Sequence, residues 1–316
     1  MKSSLHASSL GRDKPIGLRV AAFRDYFLNK KINVTICAGR NDGSMEAPYF
    51  IFITMPPFCG FMNFLQRKKI ILDIRDGWSI AQETGYGGNV KPKPFKAWLT
   101  RKIEWFLIRR SCLTITCTPG LQKHLERVSG KKVVLIPNGI SEQRLSLINE
   151  LKSGVRKKKS DRLIFVCAGQ FSEYGVDKVN KLLSVINERY GIHETEIRLI
   201  GSSAQHNQWV TDYYSNISNG RGVVNILPRM NEADLYKSML EADFGLSIVR
   251  DPGYEFGTKV YDYIALGLPV VNYFDEPNNF TDYFDACLDV GFGRNHEVPE
   301  IRRSVLIEKG LKDIEF

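Results

Sequence analysis

The sequence predicts a parallel α/β protein of two domains. Three observations carry this. Strand-like apolar runs alternate with helix-like amphipathic runs along most of the chain. The alternation breaks once, at the polar, basic and aperiodic stretch 151–161 (LKSGVRKKKSD). And 316 residues suffice for two cores of ordinary size.

In the first series, His6 lies in what reads as the opening strand, followed by a helix over 17–30 with Leu18, Ala21, Ala22 and Phe27 as its apolar stripe. Strands are expected at 32–39, 49–55, 69–76, 113–118 and 132–138, with a helix at 94–111. After the break, strands are expected at 162–169, 196–202, 222–227, 242–249 and 268–274. Helices fit between them at about 176–190, 205–218, 231–241 and 257–266, and the tail 298–316 reads as a last amphipathic helix. The expected domains are 1–155 and 156–297, with 298–316 separate. Ligands of open α/β sheets bind outside the carboxyl ends of the strands, which puts the loops after Gly169, Gly201, Leu227 and Val249 at the rim.

Composition narrows the function. A hydrophobic share of 43% and a charged share of 25% are those of a globular protein. No run of 18 apolar residues occurs and residues 1–13 lack an apolar signal core, so a cytoplasmic location is expected. The six cysteines are scattered, with no CxxC pair and no zinc spacing, and read as small buried hydrophobes of a reducing compartment. No D-x-D motif with suitable spacing stands out, so no metal and no cofactor is expected. A net charge of +9 attracts anions, whether nucleic acid, anionic lipid or a diphosphate substrate. The basic residues are dispersed and form no nucleic-acid motif, so no nucleic-acid partner is expected.

The most informative stretch is GYEFGTKVYDYIALGLPVV, residues 253–271: a loop, one amphipathic helical pass ending at Gly267, and a buried strand. The loop offers backbone amides at Phe256, Gly257 and Thr258 to the start of a helix, with Lys259 beside them. Unpaired amides, a positive dipole end and a cation together suit an anion. Asp262, three residues on, shares the face of Lys259. A cation for a diphosphate and a carboxylate for ribose hydroxyls would serve a nucleotide-sugar; the plain alternative is a surface helix with one i,i+3 ion pair.

This segment resembles the nucleotide-sugar signature of glycosyltransferase family 4, E-G-F-G, a second acid, then G-x-P-V-V. Phe256, Gly257, Gly267, Pro269, Val270 and Val271 match, Asp262 stands for the second acid, and Tyr254 replaces the first Glu with Glu255 one place late. Lys259, Asp262, Tyr263, Ala265, Gly267, Pro269 and Val270 also fit the K-x-x-D-Y-x-A-x-G-x-P-V run of bacterial polysaccharide and O-antigen assembly members. CAGQFSEYGVDK (167–178) occupies the glycine-loop position: Gly169 and Gly175 fit, while Gln170 stands where the family has Arg. LDIRDGWS (72–79) is similar to the family's D-x-R-D-x-W-P with Ser79 for Pro, and the T-P-G and I-P-N-G pieces recur at Pro119, Gly120, Pro137, Asn138 and Gly139. Met45 to Ile70 is shorter than usual.

The resemblance implies a GT-B fold, two Rossmann-like domains facing across a cleft, in which the tail helix crosses back to the first domain. It implies transfer of a sugar from a nucleotide-sugar donor, UDP-linked, to a saccharide or polyprenyl-linked acceptor in cell-surface polysaccharide synthesis, with retention and without metal. Lys259 would hold the diphosphate leaving group, Asp76 would serve the acceptor hydroxyl, and Gly169, Gln170, Gly175, Tyr254, Glu255, Phe256, Gly257, Thr258 and Asp262 would line the donor. An equally frequent reading of Asp76 is a loop carboxylate paired with Arg75 or Arg24. The missing Glu and Arg leave open a GT-B protein that has lost catalysis and binds nucleotide-sugar or a partner enzyme. Residues 91–110 (KPKPFKAWLTRKIEWFLIRR) interleave Trp98, Ile103, Phe106 and Leu107 with basic residues. That helix would lie on an anionic membrane surface or pack its apolar face on the core with the charges in water, and the two are compatible if the basic flank alone touches lipid.

Overall fold

The structure, a computed structural model, describes residues 15–37, 50–54, 61–65, 68–88, 90–154, 161–169 and 171–316. The expected strand at His6 and the donor residue Gln170 lie outside these. The elements up to Ser141 are α1 (Pro15–Asn29), β1 (Val34–Cys37), β2 (Phe50–Thr54), α2 (Phe61–Leu65), β3 (Ile70–Ile74), α3 (Trp78–Gly88), α4 (Pro94–Arg110), β4 (Leu113–Thr116), α5 (Pro119–Ser129) and β5 (Val134–Leu135). They continue as α6 (Glu142–Gly154), β6 (Leu163–Ala168), α7 (Val176–Tyr190), β7 (Thr195–Ile200), α8 (Ala204–Ile217), β8 (Gly222–Leu227), α9 (Glu232–Leu240), β9 (Phe244–Leu246), α10 (Lys259–Leu266), β10 (Val270–Val271), α11 (Asn279–Phe284) and α12 (Arg303–Leu311). The chain divides into two compact units: Met1–Ser141 with Gly253–Glu255 and Arg302–Phe316, and Glu142–Pro252 with Phe256–Ile301.

In the first unit the sheet runs β1-β2-β3-β4-β5, every pair parallel. Side chains alternate across it with the strand period of two. Phe50, Phe52 and Ile71 face α1 and α12, packing with Phe23, Phe27, Leu306 and Ile307. Ile51, Ile53, Ile70, Leu72 and Ile74 face the other way, against Leu107, Ile108, Leu121 and Leu125 of α4 and α5. Both faces are buried, so the strands read as continuous apolar runs.

Asp73 breaks that pattern and falls on the α1 side. It is fully buried and is met there by Arg19, whose Nη2 lies 3.0 Å from Oδ1 and whose Nε lies 3.2 Å from each carboxylate oxygen. Arg19 Nη1 also donates to Pro137 O (3.2 Å), while Arg303 donates to Asn138 O (2.6 Å) and Gly139 O (2.8 Å). Two buried arginines thus take three successive carbonyls of the I-P-N-G turn, which holds Gly139 at φ +60°.

The second unit has the parallel order β10-β9-β6-β7-β8. From β6 the chain winds outward through β7 to β8, then restarts on the other side at β9 and β10. The reversal between β6 and β9 is the topological switch point of a doubly wound sheet. β6 is buried along nearly its whole length, and α7 covers it with Val179, Leu182, Leu183 and Ile186 at helical spacing. Each such aliphatic side chain contributes about 1.5–3 kcal/mol by leaving water.

The structure corrects the sequence reading at the domain boundary. The first four residues of the expected linker, 151–154, are the last turn of α6, and α6 packs on α9 and α10 of the second unit. Ile148 is buried and Lys152 Nζ donates to Ala265 O at 2.7 Å. The division therefore falls after Ser141 and not at 155, because composition records polarity but not which face a helix buries. Helices α2, α3, α5, α6 and α11 add to those expected. The tail helix is α12, within the first unit.

Arg19→Ala leaves a carboxylate buried without its partner and is expected to cost about 3–5 kcal/mol. Chemical denaturation measures it, and Arg19→Met combined with Asp73→Leu should recover most of the loss. A loss near zero for the single variant would contradict this pairing.

Candidate functional site

The switch point of the second unit places two loops side by side, one after β6 and one after β9. The β6 loop turns at Gly169, whose φ of +122° is one that side-chain-bearing residues rarely adopt. Ser202, just past β7, fixes it: its hydroxyl donates to Gly169 O at 2.6 Å and accepts from Phe171 N at 3.2 Å. Gly175, at φ +92°, is the residue from which α7 starts.

The β9 loop ends at Gly257, φ +67°, and Thr258, from which α10 begins at Lys259. The backbone amides of Phe256, Gly257 and Thr258 meet no hydrogen-bond acceptor among the described residues. With the first-turn amides of α10 behind them, they form a donor cluster at a positive dipole end. Lys259, the first residue of α10, follows them directly in the chain, and its ammonium is about one-third exposed. Tyr263 joins the two loops: its hydroxyl accepts from Ala168 N at 3.2 Å, and its ring lies over Gly245 of β9, where a Cβ would come within 2.4 Å of it. Burial raises the Tyr263 hydroxyl well above the usual phenol range, so it stays protonated. Burial likewise pushes the Cys167 thiol up to about 12, although Lys259 pulls the other way.

Asp262 is more enclosed than the sequence implied. It is 2% exposed and both of its oxygens are engaged. Oδ2 accepts from Lys259 Nζ at 3.2 Å; Oδ1 accepts from the Tyr236 hydroxyl at 3.2 Å and lies 3.9 Å from Arg144. Arg144 also pairs with Glu232 at 2.5 Å. Burial, then the Asp262 charge, raises the Tyr236 hydroxyl out of the titratable range. Burial works against the Arg144 charge, but Asp262, Tyr236 and Glu232 outweigh it and raise its pKa. Arg144 and Tyr236 were not singled out from sequence; the apolar spacing around Tyr236 in α9 is the one local signal for an inward-facing phenol.

The second unit thus contains Gly169, Gly175, Phe256, Gly257, Thr258, Lys259 and Asp262. Tyr254 and Glu255 group with the first unit, where Thr118 Oγ1 donates to Tyr254 O at 2.8 Å and the Tyr254 ring meets His124 edge-on. Asp76 also lies in the first unit, exposed just beyond the carboxyl end of β3. The alternative pairing of Asp76 with Arg75 or Arg24 is corrected: Arg75 approaches the buried Asp73 at 3.9 Å and Arg24 pairs with its neighbour Asp25. Next to Asp76, Ser79 occupies the position of the family's Pro and enters a buried cluster. Glu104 of α4 accepts from Trp78 N (2.6 Å), Ser79 N (3.1 Å) and the Ser79 hydroxyl, which also meets His124 Nε2 at 2.9 Å. A buried carboxylate thereby caps the start of α3 and fixes the turn that presents Asp76.

Among the described residues, no group of three His, Cys, Asp or Glu is arranged to hold a metal ion, and no helix is long and apolar enough to cross a membrane.

No family model and no curated protein matches the sequence. Among solved structures the chain is similar to sucrose-phosphate synthase from Thermosynechococcus elongatus, with a TM-score of 0.51 and 15% identity over 99% of this chain and 73% of that one. It is also similar to Anabaena HepE, solved in complex with UDP and glucose, with a TM-score of 0.50 and 12% identity over 84% of this chain and 78% of that one. At such identities the likeness is one of fold, and the fold is GT-B: two Rossmann-like domains, each built on a parallel five-stranded sheet.

The buried thiols give a direct check. Cys117 and Cys167 are both pushed up to about 12 by burial, so at pH 8 only about one in ten thousand is thiolate. Both are expected to resist alkylation in the native protein while Cys112 and Cys287 react, as peptide mapping would record. Rapid native labelling of Cys167 would contradict its place in β6. Because an unfolded thiol ionises near ~8.5, these two favour the folded form below that pH, and their contribution is lost as pH rises toward 12.

Proposed function

We propose that the protein is a glycosyltransferase that moves a sugar from a UDP-linked donor to a saccharide or polyprenyl-linked acceptor in cell-surface polysaccharide synthesis, and that it is of family 4 type. The observation that carries the reading is the donor cluster at the β6/β9 switch point: three amides unpaired among the described residues, a glycine turn and a helix that starts at Lys259. This suits a diphosphate. As the bond from the anomeric carbon to the diphosphate oxygen breaks, negative charge grows on that oxygen, and fixed amides with a cation stabilise it without reorganising. No metal is required for that step, so none is proposed; retention of configuration is proposed on the resemblance alone.

Asp262 orients Lys259 through its Oδ2, so the ammonium is aimed before the donor arrives. Its further role with the ribose hydroxyls requires one oxygen partner to yield. Gly169 and Gly175 shape the opposite loop, and Gln170, between them in sequence, belongs to the proposed donor set. Tyr254, Glu255 and Phe256 complete the proposed donor set. Asp76, exposed at the end of its strand, is the proposed acceptor-side carboxylate. The working location is the cytoplasmic face of a membrane, which the acceptor chemistry favours.

A second reading, a GT-B protein that binds nucleotide-sugar or a partner enzyme without turnover, is favoured by one specific observation. The first acid of the signature is replaced by Tyr254, and the second, Asp262, is already engaged at both oxygens.

Thermal shift of the purified protein against UDP, GDP, ADP and CMP and their sugars should show stabilisation by the uridine set alone. Lys259→Ala is expected to lower donor turnover about 100- to 1,000-fold with the fold intact, and Asp262→Asn to weaken UDP binding. Binding of UDP with no hydrolysis or transfer over a broad acceptor panel would select the second reading. Unchanged turnover in Lys259→Ala would remove the first.

A further inference from the structure

Helix α4 carries its aromatic side chains on the wrong side for a core. Ala97, Glu104, Leu107 and Ile108 form its buried face. Phe95, Trp98, Leu99 and Trp105 are all exposed, Phe95 at 75% and Trp98 at 54%. At 100° per residue these four converge on one stripe opposite the buried face, with Lys102 and Arg109 inside it. From Phe95 to Arg109 the stripe is about 21 Å long. Of the apolar residues singled out in 91–110, Leu107 packs on the core, whereas Trp98 is exposed.

The stripe is set apart from the rest of the surface. Every exposed Phe or Trp among the described residues lies on α4. Its rings group together, Phe95 stacking on Trp98 with centroids 6.1 Å apart and Arg109 lying 5.8 Å over Trp105. Lys91, Lys93 and Lys96 are exposed at its amino end. The helix's own carboxylate, Glu104, points inward to cap α3, and the nearby Glu83 is neutralised by Arg101 at 2.5 Å. An apolar, aromatic stripe with fixed cations and no free carboxylate on its helix has one sign of charge and an amphipathic depth profile.

We propose that α4 is a docking surface for a bilayer carrying anionic headgroups. The helix lies in the interfacial plane, with Phe95, Trp98, Leu99 and Trp105 entering the headgroup–acyl boundary and Lys96, Lys102 and Arg109 meeting lipid phosphates. Aromatic rings with an apolar body and a polar edge suit that boundary, and the basic residues supply attraction to it. Charge complementarity selects this occupant over a second copy of the chain: two copies of α4 packed in parallel would set Lys102 and Arg109 each against its own copy, and packed antiparallel would still set Lys102 against Lys102 at the centre of the stripe. The proposal rests on the reading above in that a polyprenyl-linked acceptor resides in such a bilayer, which would bring the enzyme to its substrate.

The test is flotation of the full chain with vesicles of phosphatidylcholine alone and of phosphatidylcholine mixed with phosphatidylglycerol. Binding is expected on the mixed vesicles only, and it should fall as salt rises. Lys96→Glu with Lys102→Glu should reduce partition tenfold or more, on the basis of roughly fivefold per charge. Phe95→Ala with Trp98→Ala should do so at unchanged melting temperature, since both side chains face water. Equal binding to neutral vesicles, no binding to either, or undiminished binding by both variants would overturn the proposal. So would a concentration-dependent dimer, seen by light scattering, that the Phe95 and Trp98 substitutions abolish. The vesicle assay needs no donor and the nucleotide screen needs no vesicle, so either reading can fail without the other.

Discussion

A carboxylate denied water must be supplied with donors by the fold, and three such groups set the arrangement within the two units. Asp73 recruits Arg19 from α1, and Arg19 in turn holds the I-P-N-G turn. Glu104 recruits the first amides of α3, with Ser79 and His124. Asp262 recruits Tyr236 from α9, Arg144 from α6 and Lys259 from its own helix. Each cluster joins segments far apart in sequence, and each would leave a stranded charge if one donor moved. Apolar packing fills the space between sheet and helices; the carboxylates decide which helix sits where.

The candidate site follows from a second constraint. At the reversal between β6 and β9 two adjacent strands send their loops in opposite directions, and a crevice opens at their carboxyl ends. The chain must turn sharply there, so Gly169 and Gly257 take positive φ, and the amides of Phe256, Gly257 and Thr258 are left without an acceptor among the described residues. The anion-binding character proposed for the loop therefore rests on topology and helix geometry more than on charged residues. Lys259 adds one cation to a field that the backbone already provides, and Asp262 fixes where that cation stands. The pairing of Lys259 with Asp262 fits the i,i+3 spacing, yet the buried partners of Asp262 make it an anchor as well as a surface ion pair.

Several features were legible in the sequence because they depend on local chemistry. Short continuous apolar runs and the helix period of 3.6 placed β2, β3, α7 and α8 nearly at their observed bounds. The loop–helix–strand reading of 253–271 held from Gly257 to Val271, since glycine at both ends and Lys259 at the helix start are local signals. What local chemistry does not carry is the partner of a buried group. Arg19 looked like any helix charge, Ser79 like a departure from a motif, and the end of α6 like a linker. The aromatic residues of α4 suited a core face and a membrane surface alike, because apolar character does not say on which side a sheet lies.

The sequence by itself determined a parallel α/β protein with two series of strands and a glycine-bounded helix start that offers amides and a lysine. These follow from periodicity, turn chemistry and helix termini, each set within a few residues. Only the tertiary structure decided that the chain divides after Ser141, that Asp262 is enclosed by Tyr236 and Arg144, and that Trp98 and Trp105 face outward. Those outcomes depend on which distant elements meet, and the energy that selects them, burial against a particular neighbour, is absent from any short window of the chain.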